Sequence, residues 1–393
     1  MTSTVIAAGA RTPIGKLSGA YSSLSGTDLG ALAIRGALDR AGVAPDQVDY
    51  VFMGQVLLAG EGQATARQAA AKADIPLSVP ATTVNKVCLS GINAIYLAHC
   101  MISQGDADIV VAGGMESMTA APYLLPGARS GYRLGHAELL DSMMYDGLLC
   151  GLDKCAMGEG TEGYAAKLGL AREPQDALSA LSHDRAARAT KDGLLADEIV
   201  PVEIPQRRGD PLVVSEDEGI RPGTTAESLG KLRPAFVEGG NITAGNASQI
   251  SDGASAMVVM SRAKADELGI NPLGELVGYG QVAGPDTSLL TQPAAAIRKA
   301  LGRTELGLGD IDLFELNEAF AAVAVASMAD LGIGDDVVNV NGGAIALGHP
   351  IGASGNRIVL TLLHELARRG GGLGAAALCG GGGQGDALLV RTV

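Results

Sequence analysis

A cysteine and a histidine far apart in the chain carry the clearest chemistry. Cys88 stands in Asn85-Lys86-Val87-Cys88-Leu89-Ser90-Gly91, and His349 in Gly342-Gly343-Ala344-Ile345-Ala346-Leu347-Gly348-His349-Pro350. Each lies in a turn rich in Gly or Asn after a short apolar run, and each is expected to open a helix. A thiol beside an imidazole is the pairing of an activated nucleophile, in which the ring takes the proton and sulfur attacks. A second cysteine, Cys379, precedes Gly380-Gly381-Gly382-Gly383. That run presents bare backbone N–H groups, the material of an oxyanion hole.

An ordinary thiol has a pKa near 8.5 and is only a few per cent ionised at pH 7. Half ionisation requires a fall of about 1.5 units, or about 2 kcal/mol. A helix N-terminus supplies about 0.3–1 kcal/mol, so a base must complete the activation. His349 is the best candidate. His99 and Cys100 lie about three turns along the helix after Cys88, His136 and His183 fall in a segment outside the chain's repeat, and His364 is near the end of the last long helix. Cys150 and Cys155 are wide-set with no His nearby and read as structural rather than metal-binding. Cys379 reads either as a small residue at a strand end or as a second acid/base, the neighbouring glycines favouring the latter. Asn317, in Asn317-Glu318-Ala319-Phe320, either begins a helix by capping or directs its amide at a water or carbonyl. Gly380, Gly382 and Gly385 spell G-x-G-x-x-G, but a strand follows rather than a helix, which argues against a nicotinamide site.

The elements that must position these residues repeat. Ala33–Arg40 followed by Val48–Phe52, and Ala296–Arg303 followed by Ile311–Glu315, align at one offset of 263 residues. Each reads as an amphipathic helix, a turn and an apolar strand. Ile109–Gly114 resembles Ala376–Gly381 at nearly the same offset. Two similar α/β halves follow, with a mostly parallel sheet covered on both faces. The first half spans 1–120 plus 246–269, closing with a strand over Asp252–Met260 and a helix over Ser261–Leu268 that is capped at Gly269. The second spans 270–393. Residues 121–245 lack the repeat and read as an inserted loop domain covering a site. Cys88, Asn317, His349 and Cys379 each follow a candidate strand, so each is expected to face one crevice at the strands' carboxyl ends.

The bulk composition narrows the partners. The 393 residues are 47% hydrophobic and 18% charged, and 3% are aromatic with no Trp, so the core rests on Ala, Val, Leu and Ile. A net charge of −14 argues against nucleic acid or an anionic membrane as partner. An anionic small substrate would need only a local basic rim, for which Arg207, Arg208, Arg221, Lys231 and Arg233 are candidates. No secretory signal and no run of about 18 apolar residues is read. Five cysteines without framework spacing imply free thiols in a reducing, cytoplasmic setting.

Together, Asn-x-x-Cys-x-Ser-Gly at 85–91, Asn-Glu-Ala-Phe at 317–320, Gly-His-Pro-x-Gly at 348–352, Cys-x-Gly-Gly-Gly at 379–383 and Ala10-Arg11-Thr12-Pro13 resemble the thiolases over the whole chain, most of all the bacterial acetyl-CoA acetyltransferases. The resemblance implies the thiolase fold, in which two duplicated halves of five strands each stack as a five-layer α-β-α-β-α sandwich with an inserted loop domain. It implies reversible condensation of acetyl-CoA to acetoacetyl-CoA, with coenzyme A as substrate, no cofactor, a role in fatty acid metabolism and a homodimer or homotetramer. By the same resemblance Cys88 takes the acyl group, His349 activates it and Cys379 moves the methyl proton of the second acetyl-CoA. Asn317 would hold a water that shares one thioester oxygen with His349, and the N–H groups of Cys88 and Gly381 would form a second oxyanion hole. Met157, Arg221, Ser228, Phe236, Ala244, Ser248, Ala319 and Phe320 would grip coenzyme A. The chain departs from the family at Ala156, at Ala283-Gly284-Pro285-Asp286 and at Gln249. The alternatives are a 3-ketoacyl-CoA thiolase of broader chain length in β-oxidation, a ketoacyl synthase-like condensing enzyme, against which Cys379 speaks, and a non-catalytic thioester-binding scaffold, against which the intact Cys88, His349 and Cys379 speak.

Overall fold

In a computed structural model describing residues 3–393, the first half opens with strand β1 (Thr4–Arg11). Helix α1 (Gly26–Ala41) starts at Ser25, whose hydroxyl accepts the Asp28 N–H while the Asp28 carboxylate accepts the Ser25 N–H. This reciprocal cap satisfies two otherwise orphaned donors, and Gly42, at φ 65°, closes the helix. Strands β2 (Tyr50–Gly54) and β3 (Ala81–Val84), helix α2 (Ser90–Gln104) and strand β4 (Ile109–Ser117) follow. The chain then makes an excursion carrying α3 (Met157–Lys167) and α4 (Arg172–Lys191) before returning as β5 (Ser251–Ser261). A helix over Arg262–Leu268 is capped by Ser261 and ends at Gly269, as its sequence implies. The second half comprises β6 (Gly274–Ala283), α5 (Gln292–Leu301), β7 (Leu313–Leu316), α6 (Ala321–Leu331), α7 (Ala344–Leu347), α8 (Ser354–Arg368), β8 (Leu373–Gly380) and β9 (Gln384–Arg391).

The repeat appears as architecture: α1–β2 matches α5–β7, and β4 matches β8. Alternation along the strands then builds the layers. Val51, Met53, Val111, Ala256 and Val258 face α1, whereas Phe52, Val110, Ala112, Met257 and Val259 face α2 and α8. Ala376, Leu378, Leu388 and Val390 press on α2 and α8 from the other side, and Ala375, Ala377, Ala387 and Leu389 face α5. Helices, sheet, helices, sheet, helices is the five-layer sandwich, with α2 and α8 at its centre.

Three expectations need correction. The sheets are mixed rather than mostly parallel: β2 pairs in parallel with β3 and β4, and β7 with β8, but β1–β5, β4–β5, β8–β9 and β6–β9 are antiparallel. The apolar runs that suggest parallel strands arise here because helices cover both faces, whatever the strand direction. The second half has four strands, with a single parallel bridge between Phe314 and Val338 in place of a fifth. Its sheet joins the first through β1 and β6, which pair only at Val5–Glu275 and Ile6–Gly274. Finally, the segment Val87–Gln104 is apolar and long enough to cross a membrane. It is the central helix of the sandwich, where Ile92, Ala94, Ile95, Ala98 and Ile102 are buried between the sheets.

Candidate active site

Cys88 lies not at a helix start but in the turn between β3 and α2, which begins two residues later at Ser90. The turn is strained. Val87, a β-branched residue, sits at φ 50°, a conformation that costs roughly 1–3 kcal/mol and persists only when surroundings impose it. They do so here. Asn85 Oδ1 accepts the Val87 N–H at 3.1 Å, Ser90 Oγ accepts the Lys86 N–H at 2.8 Å, and the Ser90 hydroxyl donates to the Val87 carbonyl at 2.6 Å. Lys86 is drawn across to the second half, where its ammonium donates to both Asp386 oxygens at 2.8 Å.

His349 also does not open a helix. It follows the one-turn helix α7 by two residues and precedes α8 by five. The intervening Gly348 has φ 113°, and a Cβ there would come within 2.4 Å of Ser251 Oγ. The ring is buried and its tautomer follows from its neighbours. With the Ser354 hydroxyl donating to the Pro350 carbonyl at 3.0 Å, its oxygen is free to accept from His349 Nδ1–H at 2.7 Å. Nε2 is left as the unprotonated nitrogen, and the Asn317 amide donates to it at 3.4 Å.

Asn317 follows β7 and is fully buried, and its Oδ1 has no partner. It does not cap: α6 begins four residues later, with Phe320 at the N-cap position and no side-chain cap. Its neighbour Glu318 is likewise no cap. The buried Glu318 carboxylate accepts from Ser182 Oγ at 2.7 Å, Asn339 Nδ2 at 2.8 Å and the Ile345 N–H at 3.1 Å, tying this segment to the run that carries His349. Cys379 is on β8 itself, one residue before its end, paired with Gly385.

Three of the four expected positions meet in one chamber, and Asn317 reaches it only through its contact with His349. Cys88, His349, Cys379 and Gly381 line one chamber of about 60 Å³, closed by Val87, Leu148, Met157, Leu289, Ala319, Phe320 and Ile351. Among the described residues no direct hydrogen bond joins Cys88 to His349. Burial pushes the Cys88 thiol up to about 12, with the Glu116 carboxylate adding to the rise and the N–H groups of Cys88 and Gly381 opposing it. Burial also raises the Cys379 thiol, and the neighbouring Cys88 adds to that. Burial first, and the Arg357 guanidinium second, hold His349 down at about 3. The resting pair is therefore a neutral thiol and a neutral imidazole. The ionised thiol that a helix start completed by a base would favour does not occur at rest, because desolvation outweighs the local N–H dipoles.

The chamber opens through Leu148, Met157, Ser248, Ala319 and Phe320 into an outer channel of about 510 Å³. Arg221, Phe236, Ala244 and Ser248, the residues that the resemblance assigned to coenzyme A, line it, with Lys16 and Gln249 beside them. Phe236 and Phe320 meet edge to face at 6.1 Å. Among the described residues no carboxylate lines the channel, and Lys16 and Arg221 are its cations. Ser228 does not line it. Its hydroxyl instead donates to the Thr225 carbonyl at 2.7 Å and accepts the Thr225 N–H at 3.1 Å, capping the short helix Ala226–Gly230. Of the other cations in that region, Lys231 pairs with Glu227, and Arg207, Arg208 and Arg233 stand off the channel.

Sequence reasoning missed Ser354, the partner of Nδ1, although it stands only five residues after His349. It also missed the strain at Val87 and the Lys86–Asp386 pair, because 300 residues separate the two partners.

The chain is similar to known proteins over its whole length. The thiolase N-terminal domain matches residues 4–263 and the thiolase C-terminal domain residues 270–392. A probable acetyl-CoA acetyltransferase of Mycobacterium tuberculosis is 57% identical, covering 100% of both chains. The acetyl-CoA acetyltransferase of Cupriavidus necator is 51% identical, again over 100% of both. The crystal structure of the Bacillus anthracis acetyl-CoA acetyltransferase superposes with a TM-score of 0.97 at 41% identity, covering 100% of this chain and 99% of that one.

Proposed function

The chain belongs to the thiolase family, and we propose that it is an acetyl-CoA acetyltransferase that carries the acyl group on Cys88. Two acetyl-CoA molecules condense to acetoacetyl-CoA and coenzyme A, and the same site runs the thiolytic direction. The observation that carries this reading is the convergence of two thiols, one imidazole with an unprotonated Nε2 and the N–H groups of Cys88 and Gly381 in one small chamber.

The chemistry follows from the resting state. Because thiol and imidazole are both neutral, Cys88 attacks the thioester carbonyl as its proton passes to His349 Nε2, which keeps it, and the departing coenzyme A thiolate takes the Cys379 proton. The oxygen that becomes negative is received by donors already aimed at it, and one such donor is typically worth about 2.7–4 kcal/mol. A second acetyl-CoA then loses a methyl proton to the Cys379 thiolate so formed, the carbanion attacks the acyl-cysteine, and the released Cys88 sulfur recovers its proton from His349 Nε2. The unpartnered Oδ1 of Asn317 suits a water whose second proton, with His349, faces the enolate oxygen. Both half-reactions are acyl and proton transfers, for which two thiols and an imidazole suffice without metal or prosthetic group.

The channel supports a coenzyme A thioester as ligand: its walls are apolar for the pantetheine arm, and its charged groups are cations. Its chamber, holding roughly two waters' share of liquid volume, suits an acetyl group rather than a long chain. Exposed Leu125, Tyr132, Leu134 and Leu139 in the excursion after β4 support a homodimer or homotetramer, and the five free cysteines suit the cytoplasm. We place the reaction in short-chain acyl-CoA and fatty acid metabolism. The test is thiolysis of acetoacetyl-CoA by coenzyme A. Cys88→Ser should abolish it, and turnover near the wild-type rate in that variant would refute the nucleophile. A series of longer 3-ketoacyl-CoA substrates should show kcat/KM falling with chain length.

A further inference from the structure

Glu116 sits near the end of β4, fully buried, and no step above uses it. Among the described residues no cation pairs with its carboxylate. Three backbone N–H groups donate to it instead: Val56 at 3.0 Å and Gly352 at 2.9 Å to Oε2, and Leu57 at 3.1 Å to Oε1. Val56 and Leu57 follow β2 in the first half, and the Val56 carbonyl accepts from Asn85 Nδ2 at 3.3 Å, so this segment braces the Cys88 turn. Gly352 belongs to the second half, three residues after His349 and next to Ile351 of the chamber wall.

Gly352 is seated in a cup of glycines from the opposite half. A Cβ at Gly114 would lie 2.0 Å from the Gly352 carbonyl oxygen, one at Gly54 2.7 Å and one at Gly91 3.1 Å. A Cβ on Gly352 itself would lie 2.8 Å from Glu116 Oε2. The loop carrying the imidazole is thus plugged, backbone first, into the half carrying the thiol, and Glu116 grips the N–H at the bottom of the socket.

We propose that Glu116 is a positioning residue of the acyl-transfer site, docking the His349 loop onto the Cys88 half and thereby setting the spacing of imidazole and thiol. The same carboxylate acts on the sulfur through its charge. The titratable groups facing Cys88 are Glu116, His349 and Cys379, and Lys86 is engaged by Asp386. The one facing Glu116 from its own side is Glu61. Burial raises Glu116 to about 8 against its three donors. Above that pH a negative charge stands by the thiol and opposes its ionisation.

The inference rests on the assignment of Cys88 and His349, which Cys88→Ser tests separately. Glu116→Gln keeps the shape, removes the charge and turns an amide N–H₂ toward backbone donors. It should lower kcat by about 10- to 100-fold through misplacement of the ring, with KM for acetoacetyl-CoA near wild type. At pH 9 its Cys88 should alkylate faster with iodoacetamide, by about tenfold for each unit the thiol's pKa falls. Glu116→Asp keeps the charge but loses reach, so kcat should fall while the pH 9 alkylation rate stays at the wild-type value. If Glu116→Gln does not fold, Glu116→Asp carries the test. Wild-type kcat in either variant overturns the inference. So does a fall in kcat matched by a smaller fraction of acylatable Cys88 with no change in the alkylation rate of the remainder. Either of these outcomes, with Cys88→Ser still inactive, leaves the assignment of the nucleophile intact.

Discussion

At the scale of single residues, the site works by withholding charge. His349 is kept neutral by burial, and its hydrogen bond to Ser354 presents Nε2 to the chamber. Cys88 is kept protonated by the same dry surroundings, so in the proposed mechanism the ion pair forms only as the acyl group is transferred. Ser354→Ala should leave Nδ1–H without its acceptor and free the ring to turn. That loss is expected to cost about 1–2 kcal/mol, roughly a 5- to 30-fold fall in kcat with KM near wild type. Steady-state kinetics with acetoacetyl-CoA reads it, and an unchanged kcat would show that the ring is held by packing alone. Cys88 and His349 were legible in the sequence because each sits in a short motif whose residue types have few other uses. The direction of the thiol's pKa was not legible, since a helix dipole can be read from local sequence whereas desolvation depends on what the rest of the chain packs around the sulfur.

At the scale of elements, one strained turn does the positioning. The β3–α2 turn holds Val87 at positive φ, and that conformation turns the Cys88 N–H and sulfur toward Gly381. Hydrogen bonds from Asn85 and Ser90 hold it locally, and the Lys86–Asp386 pair anchors it to β9 of the other half. Asp386 also accepts from Tyr279 Oη at 2.5 Å, so the anchor is part of a network. Asp386→Asn should lower unfolding stability by roughly 2–3 kcal/mol, at the low side of buried-pair losses because Lys86 reaches solvent. It should also reduce kcat as the turn relaxes. Denaturant midpoints and kcat measured on the same preparation check both, and an undisturbed kcat would mean the local hydrogen bonds hold the turn unaided. The helices, the repeat and the Ser261 and Gly269 caps could be read from 3.6-residue periodicity and cap chemistry. Strand direction could not, because apolar runs report burial on both faces and not orientation.

At the scale of the whole molecule, duplication places one half's thiol against the other half's imidazole, with α2 and α8 packed together between the sheets. Burying carboxyls at that junction has a measurable consequence. Glu116, held at about 8, keeps a proton that the unfolded chain, at 4.5, has lost. Folding therefore loses stability as pH rises from about 5 through 8. His349 and His183, held at about 3 and about 4, lose stability only as pH falls below 6.5. Between pH 7 and 9 the carboxyl acts without the histidines, and Tm should fall. Calorimetry checks this, and a Tm that stays level or rises would contradict it.

The chain's sequence determined the duplicated halves and the candidate chemical residues, because these rest on local periodicity and on motifs that stay within a few residues of one another, whereas the five-layer fold and the channel candidates Arg221, Phe236, Ala244 and Ser248 came from the resemblance to the thiolases. Only the tertiary structure decided that Ser228 serves as a cap away from the channel, that Ser354 sets the imidazole's tautomer, that Lys86 reaches Asp386, and that Gly352 enters a cup made by Gly54, Gly91 and Gly114. Each of these is a contact between segments distant in the chain. Their energies depend on close approach and on exclusion of water, which residue types and spacing do not encode one at a time.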